Sequence, residues 1–166
     1  MIRVATPADY EAVGQLCFES YLAGGGLAEG RDDPYGQVLR DVAPRAASGV
    51  LLVMDGPEGA PVATATIAPA GTQFAQVARP GEVEIRHLAV APSAWGQGLA
   101  EALVAWIEGW ATDQGAEAIA LSVLDGNPYS TGLYARLGYT GLPERDWIPD
   151  GVTQLRVYGK RLQPLD

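Results

Sequence analysis

The chain contains one cysteine, Cys17, one histidine, His87, and one lysine, Lys160. With so few of these residues there is no intramolecular disulfide, no zinc site built on several His or Cys, and no CxxC redox pair. Nothing in the local sequence around Cys17 suggests a Cys–His dyad. Long apolar runs are missing too, since no segment approaches the roughly 18 uninterrupted apolar residues of a membrane helix. The opening MIRVATPADYEAV has no basic n-region, apolar h-region or small-residue cleavage site, so cytoplasmic residence is expected. Basic residues are scarce: 11 Lys plus Arg stand against 20 Asp plus Glu, a net charge of -9. That balance repels nucleic acid and anionic membrane surfaces at long range and favours cationic small molecules, although negative charge also serves solubility.

What is present is ordinary for a soluble globular chain. Its 166 residues, 48% hydrophobic and 19% charged, correspond to one domain spanning 1–166. Ile2 to Ala5 reads as a strand, and Thr6-Pro7 as the start of a helix reaching about Leu22, with Val13, Leu16, Cys17 and Tyr21 on one face. The glycines at 24–26, followed by GRDDPYG, predict a loop placed to cover a substrate. Tyr35, Val38, Leu39 and Val42 then keep helical spacing until Pro44 disturbs it. Val50 to Met54 and Pro61 to Ala68 form a predicted hairpin about Asp55-Gly56. Glu82 to Val90 is a strand, Gln97 to Asp113 a helix striped by Leu99, Leu103, Trp106, Ile107 and Trp110, and Ala118 to Leu124 a further strand. After the turn at 125–128 a short helix carries Leu133, Tyr134 and Leu137, with Gly138 as its left-handed cap. Val152 to Leu162 alternates as a terminal strand or hairpin. This is a mixed α/β order. A dinucleotide GxGxxG fails for want of its third glycine, and no Walker A loop occurs.

The stretch from Glu82 to Leu103 is the most informative. A strand passes through Ala-Pro-Ser-Ala-Trp into Gly96-Gln97-Gly98-Leu99-Ala100 and a long amphipathic helix. The glycines clear side chains from a helix start whose first amides lack intrahelical partners and lie at the positive end of the helix dipole. Such a start can hold a pyrophosphate; equally, the glycines can simply make a tight connection.

LAVAPSAWGQGLAEAL resembles motif A of the GNAT acetyltransferase superfamily, roughly V-x-P-x-x-R-G-x-G-L-A/G. Asn127 with Leu133-Tyr134 and Leu137-Gly138-Tyr139 resembles the superfamily's N-x-x-A-x-x-LY-x-x-LGF element, and IRVATPADYEAV its first strand and helix. PERDW at 143–147 is similar to a subgroup of small bacterial members without an assigned substrate. The resemblance implies a single-domain fold with a mostly antiparallel sheet of about six to seven strands and about four helices. It implies acetyl-CoA as acyl donor, with the pyrophosphate on the amides of about Gln97 to Ala100 and pantetheine along Leu88, Ala89 and Val90. Gly96, Gly98, Leu99, Asn127 and Tyr134 complete the expected cofactor contacts. Trp95 stands where the family has Arg or Gln, so the backbone must carry more of the phosphate binding; its ring is placed to cover the cofactor or to pack on the helix.

An acceptor amine must lose a proton before it attacks a thioester. Glu84 is the expected base, with Glu82 in reserve. Regular alternation puts Glu84, Arg86, Leu88 and Val90 on one face of the strand, and Val83, Ile85, His87 and Ala89 on the other. Glu84 could instead pair with Arg86, and His87 should face away as a core residue. The family assigns protonation of the leaving thiolate to Tyr134, and an amide near Leu88 to Val90 could polarise the thioester carbonyl. Asp32, Asp33 and Tyr35, with Glu144 to Trp147, are plausible acceptor walls able to hold a cation. The expected reaction is acetyl transfer to a small, cationic primary amine in a ternary complex, without metal, by a monomer or homodimer. A peptide or protein acceptor, a larger acyl-CoA, and a non-catalytic acyl-CoA-binding module are the alternatives.

Overall fold

The computed structural model describes residues 1–163. Its strands are β1 Ile2–Val4, β2 Val50–Asp55, β3 Pro61–Pro69, β4 Glu82–Val90, β5 Ala118–Leu124, β6 Thr140–Gly141 and β7 Leu155–Arg161, and its helices α1 Tyr10–Ala23, α2 Tyr35–Arg40, α3 Val42–Ser48, α4 Leu99–Asp113 and α5 Pro128–Arg136. The seven strands form one sheet in the order β1-β2-β3-β4-β5-β7-β6. Pairing is antiparallel except between β4 and β5, which are parallel. A parallel pair needs a long crossover, and α4 provides it.

Helices cover both faces of the sheet, which is why β2 reads as an unbroken apolar run rather than an alternation. Leu52 and Met54 point to the side of α4 and α5, where they join Ile67, Ile85, Leu103, Ile107, Ile119 and Leu121. Leu51 and Val53 point to the other side and pack with Val13, Cys17, Phe18, Leu39 and Ala89 under α1 to α3. Among the described residues no helix is long and apolar enough to cross a membrane.

Two local departures have simple causes. The first predicted helix begins as a 3-10 turn over Pro7–Asp9 before α1. There the Asp9 carboxylate accepts the Thr6 N–H at 2.7 Å and is gripped by Arg3 at 2.8 Å. The second predicted helix breaks at Asp41, not at Pro44, because Pro44 lies in the first turn of α3, where its missing N–H has no intrahelical role.

Candidate active site

β4 and β5 pair only from Glu82↔Ala118 to Ile85↔Leu121. Past that point β4 continues to Val90 and β5 to Leu124 with no ladder between them, so the two strands part and leave a split in the middle of the sheet. A bulge accompanies the parting. Between Thr64↔Ala89 and Thr66↔Arg86, β3 has one residue and β4 has two, His87 and Leu88. His87 adopts φ 51°, the sole positive value at a non-glycine position among the described residues. For an L-residue this conformation costs about 1–2 kcal/mol, a strain that bulges hold next to functional sites.

The bulge overturns the regular alternation expected for β4. Val83, Ile85, Leu88 and Val90 all pack on the α4 side, whereas Arg86 and His87 both reach Tyr35 on the α1–α2 side. Glu84 therefore does not share a face with Leu88 and Val90, and His87 does not face away from Glu84 and Arg86. The extra residue shifts the side-chain parity of everything after it by one.

The ladder also decides which backbone groups line the split. Ala91 N–H donates to Val62 O at 2.8 Å, so 62/91 is a hydrogen-bonded pair. In the neighbouring pair, Ala63↔Val90, the N–H and C=O groups must then point outward. Val90 thus presents both polar groups to the split. Its carbonyl accepts the indole N–H of Trp95 at 2.8 Å, and Trp95, 44% exposed, lies at the mouth.

Beyond Trp95 the chain enters α4 through Gly96 and Gly98, both at φ 77°, a conformation that a side chain would strain although the space around each is open. The first carbonyl bond of the helix is Ala102 N–H to Gly98 O, and no side chain caps the preceding amides. Gly96, Gln97 and Gly98 are exposed, and Leu99 and Ala100 open the helix behind them. Unpartnered amides, a helix dipole and no obstructing side chain make this turn fit for a pyrophosphate.

Tyr134, on α5, is 5% exposed and packs edge-on against Tyr139 with ring centroids 5.5 Å apart. Burial pushes its hydroxyl well above the ordinary tyrosine value, so it stays protonated. Asn127 caps α5: its Oδ1 accepts the N–H groups of Tyr129 at 3.1 Å and Ser130 at 3.2 Å. A cavity of about 230 Å³ separates this turn from Gly24 and Gly25 after α1.

Glu84 is 2% exposed. Its Oε1 accepts three N–H groups of the β3–β4 connection, from Gln76 at 2.9 Å, Val77 at 2.6 Å and Ala78 at 2.9 Å, and its Oε2 lies 3.7 Å from Arg86 Nε. Glu82 is engaged likewise by Arg145 at 2.8 Å, which also donates to Val77 O. Of Glu144 to Trp147, expected as an acceptor wall, Glu144 is exposed and the other three spend polar groups on the fold. Beyond Arg145, Asp146 pairs with Arg156 at 2.8 Å and Trp147 Nε1 donates to Ser122 Oγ at 3.2 Å. Asp33 accepts the N–H groups of Glu29 and Tyr35, which holds its carboxyl below the usual range.

Sequence reasoning did not single out His87, Arg86 and Tyr21 as a group. Tyr35 lies between Tyr21 and His87, with ring centroids 6.3 Å from each. Its hydroxyl is 3.1 Å from His87 Nε2 and 3.5 Å from Arg86. Only the positive φ of His87 could have flagged the cluster, and no residue type in Glu-Ile-Arg-His-Leu announces it.

The sheet thus opens between its one parallel pair, with a glycine-turned helix start at the opening. A sequence profile described as the acetyltransferase (GNAT) family matches residues 13–139, and the chain belongs to that family. The family uses acetyl-CoA. Solved structures agree in fold. The ribosomal-protein-S18-alanine N-acetyltransferase of Escherichia coli superposes with TM-score 0.72 at 14% identity, over 100% of this chain and 96% of that one. A phosphinothricin acetyltransferase of Sinorhizobium meliloti, in complex with AcCoA, gives 0.71 at 18%, over 100% and 93%. A GCN5-related N-acetyltransferase of Kribbella flavida gives 0.68 at 22%, over 98% and 97%. Comparison with curated protein sequences gives no match.

Proposed function

We propose that the protein transfers an acetyl group from acetyl-CoA to a primary amine by direct attack in a ternary complex. The observation that carries this reading is the split between β4 and β5, whose mouth is the amide turn at Gly96 to Ala100. Acetyl-CoA supplies the thioester. The amides from Gln97 to Ala100 hold its pyrophosphate, and Leu88, Ala89 and Val90 flank the pantetheine, with Val90 N–H and C=O available to its amides. Trp95 shares the Val90 carbonyl with the second of these contacts. Tyr134, kept protonated by burial, is the proton donor to the leaving thiolate. Asn127 acts at one remove, by fixing the start of the helix that carries Tyr134.

Glu84 does not fit the role of base, because one oxygen holds three amides and the other faces Arg86. The acceptor therefore enters as its free amine, deprotonated in solvent, and turnover follows the amine's own titration. Thermal stabilisation by acetyl-CoA together with CoA release over a panel of amines tests the reading. Stabilisation without CoA release on any amine would leave a binding module instead.

A further inference from the structure

The acceptor side of the split is short of hydrogen-bond acceptors and rich in donors. Arg86 lies on that side with its side chain 13% exposed. Of its five N–H groups, that on Nε faces Glu84 Oε2 at 3.7 Å, one bonds Phe74 O at 3.1 Å and another reaches the Tyr35 hydroxyl at 3.5 Å. The Tyr35 hydroxyl in turn pairs with His87 Nε2 at 3.1 Å, and the other ring nitrogen of that imidazole is Nδ1. That atom is buried and has no partner. Neither has the buried hydroxyl of Thr66, the residue directly across the ladder from Arg86 and on the same face. A second guanidinium, Arg45, is 1% exposed and bonds only the carbonyls of Val38, Leu39 and Asp41 and the thiol of Cys17. Its charge, with that of Arg86, reaches Tyr35 and His87.

One carboxylate opposes these two cations from within the same face, that of Glu84, whose Oε1 holds three backbone amides and whose Oε2 faces Arg86 at 3.7 Å. Within a protein of net charge -9, the face behind the bulge carries two guanidinium groups against one carboxylate. A cationic acceptor would find no unengaged carboxylate among these groups, whereas an anion would find a guanidinium with one unspent N–H on each terminal nitrogen.

We infer that the acceptor is a primary amine that also carries a carboxylate, as in a free amino acid, and that Arg86 binds that carboxylate. This rests on the acetyl-transfer reading above and names its substrate class. It also replaces the cationic acceptor that net charge suggests, because net charge says nothing of where the charges lie.

The test measures CoA release with free amino acids, with the same amino acids as carboxamides, and with the corresponding decarboxylated amines, in the wild-type chain, in Arg86→Met and in Arg86→Lys. A charge-assisted pair of this kind predicts a preference for the acid over the carboxamide of roughly 10- to 100-fold in kcat/KM. Arg86→Met should bring that ratio near one, mainly through the KM of the acid, and Arg86→Lys should restore part of it. A merely structural arginine would lower all acceptors alike and leave the ratio unchanged, and that result overturns the inference. So does a wild-type enzyme that turns over carboxamides or simple amines as readily as acids. If no amine of any kind releases CoA, the acetyl-transfer reading falls and this inference with it.

Discussion

Replacing Glu84 with alanine removes the acceptor of three backbone N–H groups, Gln76, Val77 and Ala78, and the anionic neighbour of Arg86 in a single step. Each hydrogen bond to a charged group contributes about 1.5–3 kcal/mol net, but three donors sharing one oxygen do not add. The comparison with a broken buried ion pair, about 3–5 kcal/mol, sets the scale. In a chain of this size a loss of that order lowers Tm by about 10 °C, at roughly 2–4 °C per kcal/mol. Glutamine keeps a carbonyl oxygen in place and forfeits only the charge, so Glu84→Gln should cost about 1–2 kcal/mol.

Chemical denaturation gives the stabilities, and steady-state kinetics give the contrast that matters. A general base removed as Glu84→Gln costs about 10²–10⁴ in kcat and need not touch stability. A loop anchor behaves the other way: Glu84→Gln keeps most of its turnover, while Glu84→Ala melts early and loses activity with its fold. A thermally intact Glu84→Gln protein whose kcat has collapsed would refute the assignment made here and return Glu84 to the chemistry.

Tyr134→Phe should lower kcat by about 10²-fold or more, as loss of a general acid does, with acetyl-CoA affinity from calorimetry unchanged; unchanged turnover rejects the role. Gly98→Ala forces a side chain into φ 77°, costing about 1–2 kcal/mol of stability and weakening acetyl-CoA binding further, so a calorimetric Kd equal to wild type would remove the turn from the phosphate site. Trp95→Phe deletes the bond to Val90 O that competes with the cofactor for that carbonyl; a bond of about 0.5–1.5 kcal/mol predicts equal or up to tenfold tighter acetyl-CoA binding, and a tenfold weaker Kd contradicts it. His87 is held neutral by burial and by Arg86 and Arg45, its value pushed well below the usual 6.5. Its contribution to stability is therefore complete above about pH 6.5 and is lost as pH falls toward the folded value, by about 1.4 kcal/mol per pH unit. Denaturation of the wild type and His87→Gln between pH 7 and pH 5 should diverge with that slope, and parallel curves would sink the argument.

Much of the frame was legible because it is written in local chemistry. β4 and β5 span the segments that read as strands, Glu82–Val90 and Ala118–Leu124, and Gly96, Gly98 and Gly138 stand where the backbone turns left-handed. The bulge was not legible. A parity of two along Glu-Ile-Arg-His-Leu carries no mark of an inserted residue, and His87 is not a residue type that calls for positive φ. One unmarked insertion exchanged the faces of half the strand, so the sequence argument for Glu84 went to the wrong side of the sheet.

The charged residues of the site raise a different difficulty. Arg145 finds Glu82 across 63 positions, and Glu84 is matched to amides rather than to a side chain; neither pairing leaves a periodic trace. Sequence counts charges, whereas function depends on which of them are already spent. Glu82, Glu84, Asp33 and Asp146 all have partners within the protein, while Arg86 keeps donors in reserve and Arg45 has no carboxylate among its partners. The acidity of the chain as a whole is thus compatible with two guanidinium groups against one carboxylate at the one place where the acceptor's own charge would be read.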